Sequence, residues 1–197
     1  MSSDRRRHLD GRVARGQQSR TAITEALVHL VDAGVPAPTI QQVAERAGVS
    51  VRLVFHHFRT AHGLQAAAVA LQAERFRHVL FAVPPRGPPE LRTRALCRQR
   101  RLYFEALAPT RRMAGVGGAA DPALHALLTE DRVRMRQQLA DTFAPEMAGR
   151  GTDAVALLDA LDQATGWEAW LALRDVRDHS AATAERAMAF TTLRLLT

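Results

Sequence analysis

The chain has 197 residues, of which 47% are apolar, enough for one large core or for a small head joined to a larger body. Its formal net charge of +7 favours binding to polyanions, although a solvated basic surface gives the same total. The single cysteine excludes an intrachain disulfide, and the absence of a long apolar segment excludes a signal peptide and a membrane span, so we expect a cytoplasmic protein.

The N-terminal region divides into two parts. Residues 1–17 are rich in arginine and lack apolar periodicity, which predicts a mobile basic arm that either reaches DNA or is a tail without function. From Ser19 onward, helical spacing of apolar residues predicts a first helix that ends at Gly34 and Pro36. The apolar set of this helix is Ile23, Ala26, Leu27, Leu30 and Val31.

The stretch from Thr39 to Phe58 predicts two short helices joined by a tight turn. Thr39 can cap the first helix, with Gln42 completing a capping box. Gly48 can supply the left-handed conformation that ends this helix, and Ser50 can cap a second helix that runs to about His57. Such a pair is a helix-turn-helix, whose second helix suits the major groove of DNA.

The rest of the chain also follows helical patterns, separated by proline and glycine. A helix after Thr60 ends before the proline-rich stretch 84–89. Together with the helices described above, the later helices predict an all-α protein of about nine helices. The later helices run from Glu90 to Ala108, from Asp121 to Pro145, from near Thr152 toward Val176, and onward from a cap at Ser180.

The helix-turn-helix carries a resemblance to a known family. The pattern Thr39-x-x-x-Val43-Ala44-x-x-Ala47-Gly48-Val49-Ser50, followed by Phe55 and His57-Phe58, resembles the TetR family of transcriptional repressors. The likeness covers residues 19–65, and the rest of the chain resembles the family only in its pattern of helices. It implies a three-helix helix-turn-helix head over residues 18–62 and a helical body over residues 63–197 that binds an effector and dimerises.

The resemblance also implies partners. We expect a homodimer that binds a pseudo-palindromic, double-stranded DNA operator and is released by a small-molecule effector, although activation remains open. The two C-terminal helices would form the dimer interface, which agrees with the two-sided apolarity of residues 155–171. No cofactor and no membrane partner are expected.

DNA contacts are expected on the helix-turn-helix and on the helix before it. The family usually has tyrosine at the position of Phe55 and lysine at the position of Ala61, and Arg52, Arg59 and His62 can offset the lost phosphate contacts. His56, His57 and His62 could alternatively bind a metal, but we favour contact with DNA. The expected DNA-binding residues are Arg20, Thr39, Gln41, Ser50, Val51, Arg52, Phe55, His56, His57 and Arg59.

The body offers a candidate effector site. Arg98 lies in line with Leu91, Ala95 and Leu102, so it would be a cation in an apolar stripe that needs an acidic neighbour, solvent or an anionic effector. The acidic neighbour could be Asp131 or Glu105. Core packing is the alternative explanation for the aromatic and sulfur-containing candidates. The expected effector-binding residues are Arg98, Arg101, Tyr103, His125, Met135, Trp167 and Trp170.

An enzyme is not expected, because the chain has no G-x-S-x-G or H-E-x-x-H motif and no nucleophile next to a base. The competing class is a helical protein that binds a small molecule or a partner and keeps the helix-turn-helix only as a scaffold. A gel shift with the DNA flanking its own gene would separate this class from a regulator.

Overall fold

The computed structural model describes the backbone of residues 2–80, 86–118 and 121–197, and the side chains of residues 14–80, 86–115 and 121–197. These residues form helices and no strand, which confirms the predicted all-α fold. None of the helices in these ranges is both long and apolar enough to cross a membrane. The helices are α1 (Ser2–Asp32), α2 (Ile40–Ala47), α3 (Val51–Phe58), α4 (Ala61–Leu80), α5 (Pro89–Gly118), α6 (Pro122–Thr142), α7 (Ala144–Met147), α8 (Asp153–Thr165), α9 (Trp167–Leu171), a π-helical turn (Ala172–Val176) and α10 (Ala181–Leu196).

The chain divides into two compact units, each with its own core. The first consists of Met1–Gln72 and Pro109–His125, and the second consists of Ala73–Ala108 and Ala126–Thr197. The division predicted between residues 62 and 63 falls inside α4, which is one continuous helix. The functional assignment of the two domains stays a prediction.

The core of the first unit forms where α1, α2, α3 and the start of α4 meet. Ile23 and Leu27 of α1 pack in one buried cluster with Val43 of α2, Val54 of α3 and Leu64 of α4. The α1 residues repeat at the spacing that places side chains on one face of a helix, as the sequence predicts. Burial of this face fixes the orientation of the two short helices, which are too short to be stable alone.

The first helix begins earlier than the sequence pattern predicts. The pattern predicts a mobile arm over residues 1–17 and a helix from Ser19, whereas the backbone is helical from Ser2. Helix formation needs backbone propensity rather than an apolar stripe, and arginine, leucine and alanine are among the strong helix formers. Mobility of this segment stays a prediction.

Two later helices also differ from their predicted bounds. α5 continues through Pro109, where the sequence predicted its end, and its dihedral angles leave the helical region at Gly115 (φ 54°, ψ −156°). The single helix predicted from Thr152 toward Val176 is divided at Gly166, whose backbone is extended. A Cβ atom at Gly166 would lie 3.0 Å from the carbonyl oxygen of Asp162, so glycine allows a close turn there.

The second unit packs around aromatic side chains of α5. Tyr103, Phe104 and Leu107 of this helix are buried together with Phe143, Leu161 and Trp170. The ring centroids of Phe104 and Trp170 are 6.1 Å apart, and those of Phe104 and Trp167 are 5.6 Å apart in an edge-to-face arrangement. The second unit therefore has a core rich in aromatic residues.

Candidate functional site

Caps at both ends define the helix-turn-helix. The side chain of Thr39 accepts a hydrogen bond from the backbone of Gln42 at 3.2 Å, and the Gln42 side chain accepts one from the backbone of Thr39 at 2.8 Å. Gly48 is left-handed (φ 66°, ψ 33°) and ends α2, while Ser50 Oγ accepts from the backbone of Leu53 at 3.2 Å. The predicted capping box, turn glycine and second cap are all present.

Helix α3 has a buried face and an exposed face. Val54 and Phe58 are buried in the core of the first unit. Val51, Arg52 and His56 are exposed, and Phe55 is 45% exposed although it is aromatic. The exposed face therefore contains four of the residues that the sequence assigned to DNA contact, Val51, Arg52, Phe55 and His56, whereas His57 is half-buried.

Arg20 of α1 holds the C-terminal end of α3. Its Nη1 donates to the backbone carbonyl oxygen of His57 at 2.7 Å, and its guanidinium lies 4.2 Å from the ring centroid of Phe58. Carbonyl oxygens in the last turn of a helix lack partners within the helix, and a cation there also interacts favourably with the helix dipole. Arg20 was predicted as a DNA contact, and its position indicates that it also orients α3.

The junction between α3 and α4 is a strained tight turn. Arg59 has a positive φ (φ 54°, ψ −42°), and the carbonyl oxygen of Phe58 accepts from the backbone of Thr60 across it. This is the geometry of a γ-turn of the rarer hand, which is uncommon for residues other than glycine. Thr60 Oγ1 then accepts from the backbone of Gly63 at 3.0 Å and caps α4. The turn places Arg59 in solvent beside the end of α3.

The exposed surface of this region is basic. Between Thr39 and His62 the chain has three arginines, Arg46, Arg52 and Arg59, and all are exposed. The one acid in the same stretch, Glu45, accepts a hydrogen bond from Gln41 at 3.0 Å. The pKa of His57 is lowered by partial burial, by His56 and by Arg20. The surface can therefore bind an anion through arginine without protonated histidine.

The histidines do not form a metal centre in the part of the chain that the structure describes. The rings of His56 and His57 have centroids 5.5 Å apart, and no group of three ligating side chains occurs in the described residues. Imidazole N–H groups at the end of α3 can instead donate to phosphate oxygens.

The structure brings together four of the seven predicted effector residues. Tyr103 and Trp170 are buried in the second unit, Trp167 is half-buried against Phe104, and Met135 packs against the same cluster. The hydroxyl of Tyr103 donates to Asp131 at 2.5 Å. These residues are part of the core, which is the alternative that the sequence left open.

The other three predicted effector residues lie elsewhere. Arg101 pairs with Glu185 through its Nε. Arg98 is exposed and lines a surface groove of about 720 Å³ between α5 and α10. His125 is exposed at the start of α6 and belongs to the first unit. A role for these residues in effector binding stays a prediction.

The apolar stripe predicted around Arg98 is on the solvent side of α5, so of the three outcomes left open for Arg98 the structure shows access to solvent. Leu91 is 55% exposed, and Leu102 is exposed as well. The two acids considered for Arg98 have other partners, because Asp131 pairs with Arg77 and Glu105 pairs with Arg174. The buried face instead carries Arg92, Leu96, Cys97, Arg100, Tyr103, Phe104 and Leu107.

Arg100 is only 1% exposed, although no sequence pattern singled it out. The sequence signal that could have indicated its burial is its spacing, because Arg100 lies one turn before Phe104 and three residues before Tyr103. Cys97 is buried on the same face, and burial raises the pKa of its thiol to about 12. A thiol with that pKa is protonated near neutral pH and is not an activated nucleophile.

One family model matches part of this chain, and two solved structures are similar to its fold. Residues 23–73 match a family model described as bacterial regulatory proteins, tetR family. A transcriptional regulator from Rhodococcus sp. Rha1 is similar in structure, with a TM-score of 0.66 and 22% identity over 90% of this chain and 95% of that one. A protein from Rhodococcus sp. described as a putative TetR-family transcriptional regulator gives a TM-score of 0.60 and 18% identity over 91% of this chain and 100% of that one. At these identities the two structures show the fold alone. No curated protein matches the sequence.

Proposed function

We propose, from the premise that the chain belongs to the TetR family of transcriptional regulators, that it is a repressor released from its operator by a small-molecule effector. The head would bind double-stranded DNA through α3. One short helix reads few base pairs, so two heads about 34 Å apart, one turn of the duplex, would read a pseudo-palindrome. The protein would therefore act as a homodimer.

The observation that supports sequence-specific DNA binding is the exposed first turn of α3. Arg52 lies there, between the cap at Ser50 and the buried Val54, and it is exposed. In the described part of the chain no acid pairs with it. A guanidinium can donate two hydrogen bonds to the edge of guanine, which is the commonest specific contact in the major groove. Arg52 is thus our candidate for base recognition, while Arg59 and His57 would contact phosphates.

Arg52→Ala tests this proposal in a gel shift with the DNA that flanks the protein's own gene. We expect the variant to lose about 1–3 kcal/mol of binding free energy at one operator position and to tolerate base changes there. Arg177→Ala is the matched control, because Arg177 is an exposed arginine of the second unit. A loss that is equal for all operator variants would make Arg52 a phosphate contact.

One observation favours the competing function, a helical binding protein that keeps the helix-turn-helix as a scaffold. Phe55 is exposed on the candidate DNA surface but has no hydroxyl with which to donate to a phosphate. The side chain of Ala61, at the position where lysine is expected, also has no group that can donate to a phosphate. Failure of the folded, dimeric wild-type protein to shift any fragment of the flanking DNA would favour this alternative.

The homodimer interface would lie on α8 and α10, which pack against each other in the second unit. Val155 of α8 and Phe190 of α10 are large apolar side chains that remain exposed. Their inward neighbours Leu157, Leu161 and Met188 are buried within the subunit. A second copy bound to this face through the same two helices would remove Val155 and Phe190 from water by a symmetric contact.

A further inference from the structure

The buried charges of the second unit do not balance. Its buried charged side chains, in the residues that the structure describes, are Arg92, Arg100 and Asp131. Arg92 forms a two-bond ion pair with Glu146, and Asp131 pairs with Arg77, whose Nη2 lies 3.1 Å from Oδ1. Arg100 remains without a direct ion pair, and the acid that interacts with it electrostatically, Asp162, also interacts with Arg136.

Arg100 satisfies only part of its hydrogen-bonding capacity. Its Nη2 donates to the carbonyl oxygen of Met135 at 3.0 Å, whereas its Nε and Nη1 have no partner in the described part of the chain. Burial lowers the pKa of Arg100 to about 10, which still leaves the guanidinium charged at neutral pH. An uncompensated buried charge costs several kcal/mol even after relaxation, so an anion is strongly favoured beside it.

Asp131 and Asp162 are the two acids of the second unit considered as partners of Arg100. Asp131 accepts from the hydroxyl of Tyr103 in addition to its contact with Arg77. Asp162 lies 3.9 Å from Arg136 and interacts electrostatically with both Arg136 and Arg100, while burial raises the pKa of its carboxyl group. No ion pair joins Arg100 to either carboxylate in the described residues.

The surroundings of Arg100 combine apolar rings with a second free donor. Phe104, one helical turn along α5, packs against Trp167 and Trp170. The indole Nε1 of Trp170 is buried and has no acceptor among the described residues. Arg100 and Trp170 therefore both neighbour Phe104 and both carry donors without acceptors, and a ligand that complements them must supply acceptors and an apolar body.

We infer that Arg100 is the anion-binding group of the effector site and that the effector is a small carboxylate with an apolar body. The inference rests on the proposed function, in which the body binds a ligand. A carboxylate carries one negative charge, which matches the single charge of Arg100, whereas a phosphate group carries about 1.5 to 2 charges near neutral pH. Its two oxygens can accept two parallel hydrogen bonds from one guanidinium.

The first test compares Arg100→Met with wild type in the absence of added carboxylate. Methionine is similar in length and has no charge, so removal of an unpaired buried cation is expected to raise Tm. Arg94→Met is the control, because Arg94 is exposed on the same helix and its replacement should leave Tm within about 1 °C. A lower Tm for Arg100→Met would mean that the chain itself compensates Arg100, and the inference would be overturned.

The second test measures ligand-dependent Tm at constant ionic strength with sodium benzoate and sodium hexanoate, against the neutral probes benzamide and hexanamide. We expect at least one carboxylate to raise the Tm of wild type and Arg94→Met by roughly 5–10 °C at 100 times its Kd, and the amides to have no effect. Arg100→Met should not respond. No carboxylate response in wild type, or the same response in Arg100→Met, would refute the inference.

A gel shift with the same probes separates this inference from the proposed function. Release of DNA from wild type by the stabilising carboxylate, but not from Arg100→Met, would support both. Stabilisation through Arg100 without DNA release would keep the anion site and contradict its role as the effector site. Sequence-specific DNA binding without any carboxylate response would keep the regulator and overturn the anion site.

Discussion

At the scale of single residues, Arg20 shows how a predicted DNA contact can also support the reading helix. Arg20→Met removes a charge-assisted hydrogen bond to the carbonyl oxygen of His57 and a cation–π contact with Phe58. We expect the first unit to lose about 1–3 kcal/mol of stability, with a lower Tm and weaker operator binding. Arg46→Met is the control for Tm, because Arg46 is an exposed arginine at the end of α2. Equal Tm values for the two variants would contradict a supporting role for Arg20.

His57 links the stability of the same helix to pH. Its pKa in the folded protein is below the ordinary value of 6.5, first because of partial burial and then because of His56 and Arg20. At pH values between the lowered pKa and 6.5, the unfolded chain binds more protons than the folded one. The free energy of unfolding therefore falls as pH decreases through this range. We expect Tm to decrease from about pH 7.5 to about pH 5.5, and His57→Gln to reduce the decrease.

The matched control for the pH experiment is His29→Gln, since His29 is exposed on α1. Measurement of Tm across the same pH range for both variants isolates the contribution of His57. If His57→Gln and wild type show the same dependence on pH, another group causes it.

At the scale of elements, the junction between α3 and α4 depends on Gly63. A Cβ atom at this position would lie 2.9 Å from the carbonyl oxygen of Phe58, which also accepts from Thr60 in the γ-turn. Gly63→Ala must therefore move the end of α3 relative to α4. We expect it to cost about 1–3 kcal/mol of stability and to weaken DNA binding more than its change in Tm explains.

Gly16→Ala is an informative comparison for Gly63→Ala, because Gly16 lies within α1 and a Cβ atom added there would meet nothing within 4 Å outside the backbone of its own helix. That variant should gain about 0.5–1 kcal/mol, since alanine costs less backbone entropy than glycine in a helix. Urea unfolding of both variants measures the two changes. Stabilisation by both substitutions would show that the α3–α4 junction can relax.

The elements also show what the sequence could predict and what it could not. Thr39, Gln42, Gly48 and Ser50 act through contacts within four residues, so their spacing specifies the helix-turn-helix without tertiary information. Helix α5 is different, because apolar residues occur on more than one side of it. The spacing of apolar residues therefore pointed to the face of Arg98 as an apolar stripe. Only packing against the rest of the second unit identifies the face that is buried.

Arg100 illustrates the same limit for the candidate effector site. A buried, partly unpaired arginine contradicts the usual preference of charged residues for the surface, so a sequence pattern assigns it to solvent. Gly166 was missed for a related reason, since one glycine in a long apolar run is a weak break signal. Its close approach to the carbonyl oxygen of Asp162 is a property of the folded chain.

At the scale of the whole molecule, operator binding should depend on two copies of the chain. A stable specific interface buries about 1,200–2,000 Å² in total, and helices α8 and α10 offer an exposed face that contains Val155 and Phe190. Phe190 is 63% exposed, so an aspartate there leaves the subunit's own core intact but places a charge in the proposed interface. We expect Phe190→Asp, alone or with Val155→Asp, to give folded monomers.

Val133→Asp is the matched control, because Val133 on α6 is also 63% exposed and lies outside both interface helices. Light scattering at micromolar concentration should report a dimer for wild type and for this control and a monomer for Phe190→Asp. The monomer should bind operator weakly, because each head then contributes its few base contacts separately rather than in one binding event. A monomeric wild type that still binds a pseudo-palindrome tightly would refute the dimer and leave α8 and α10 as elements of the subunit alone.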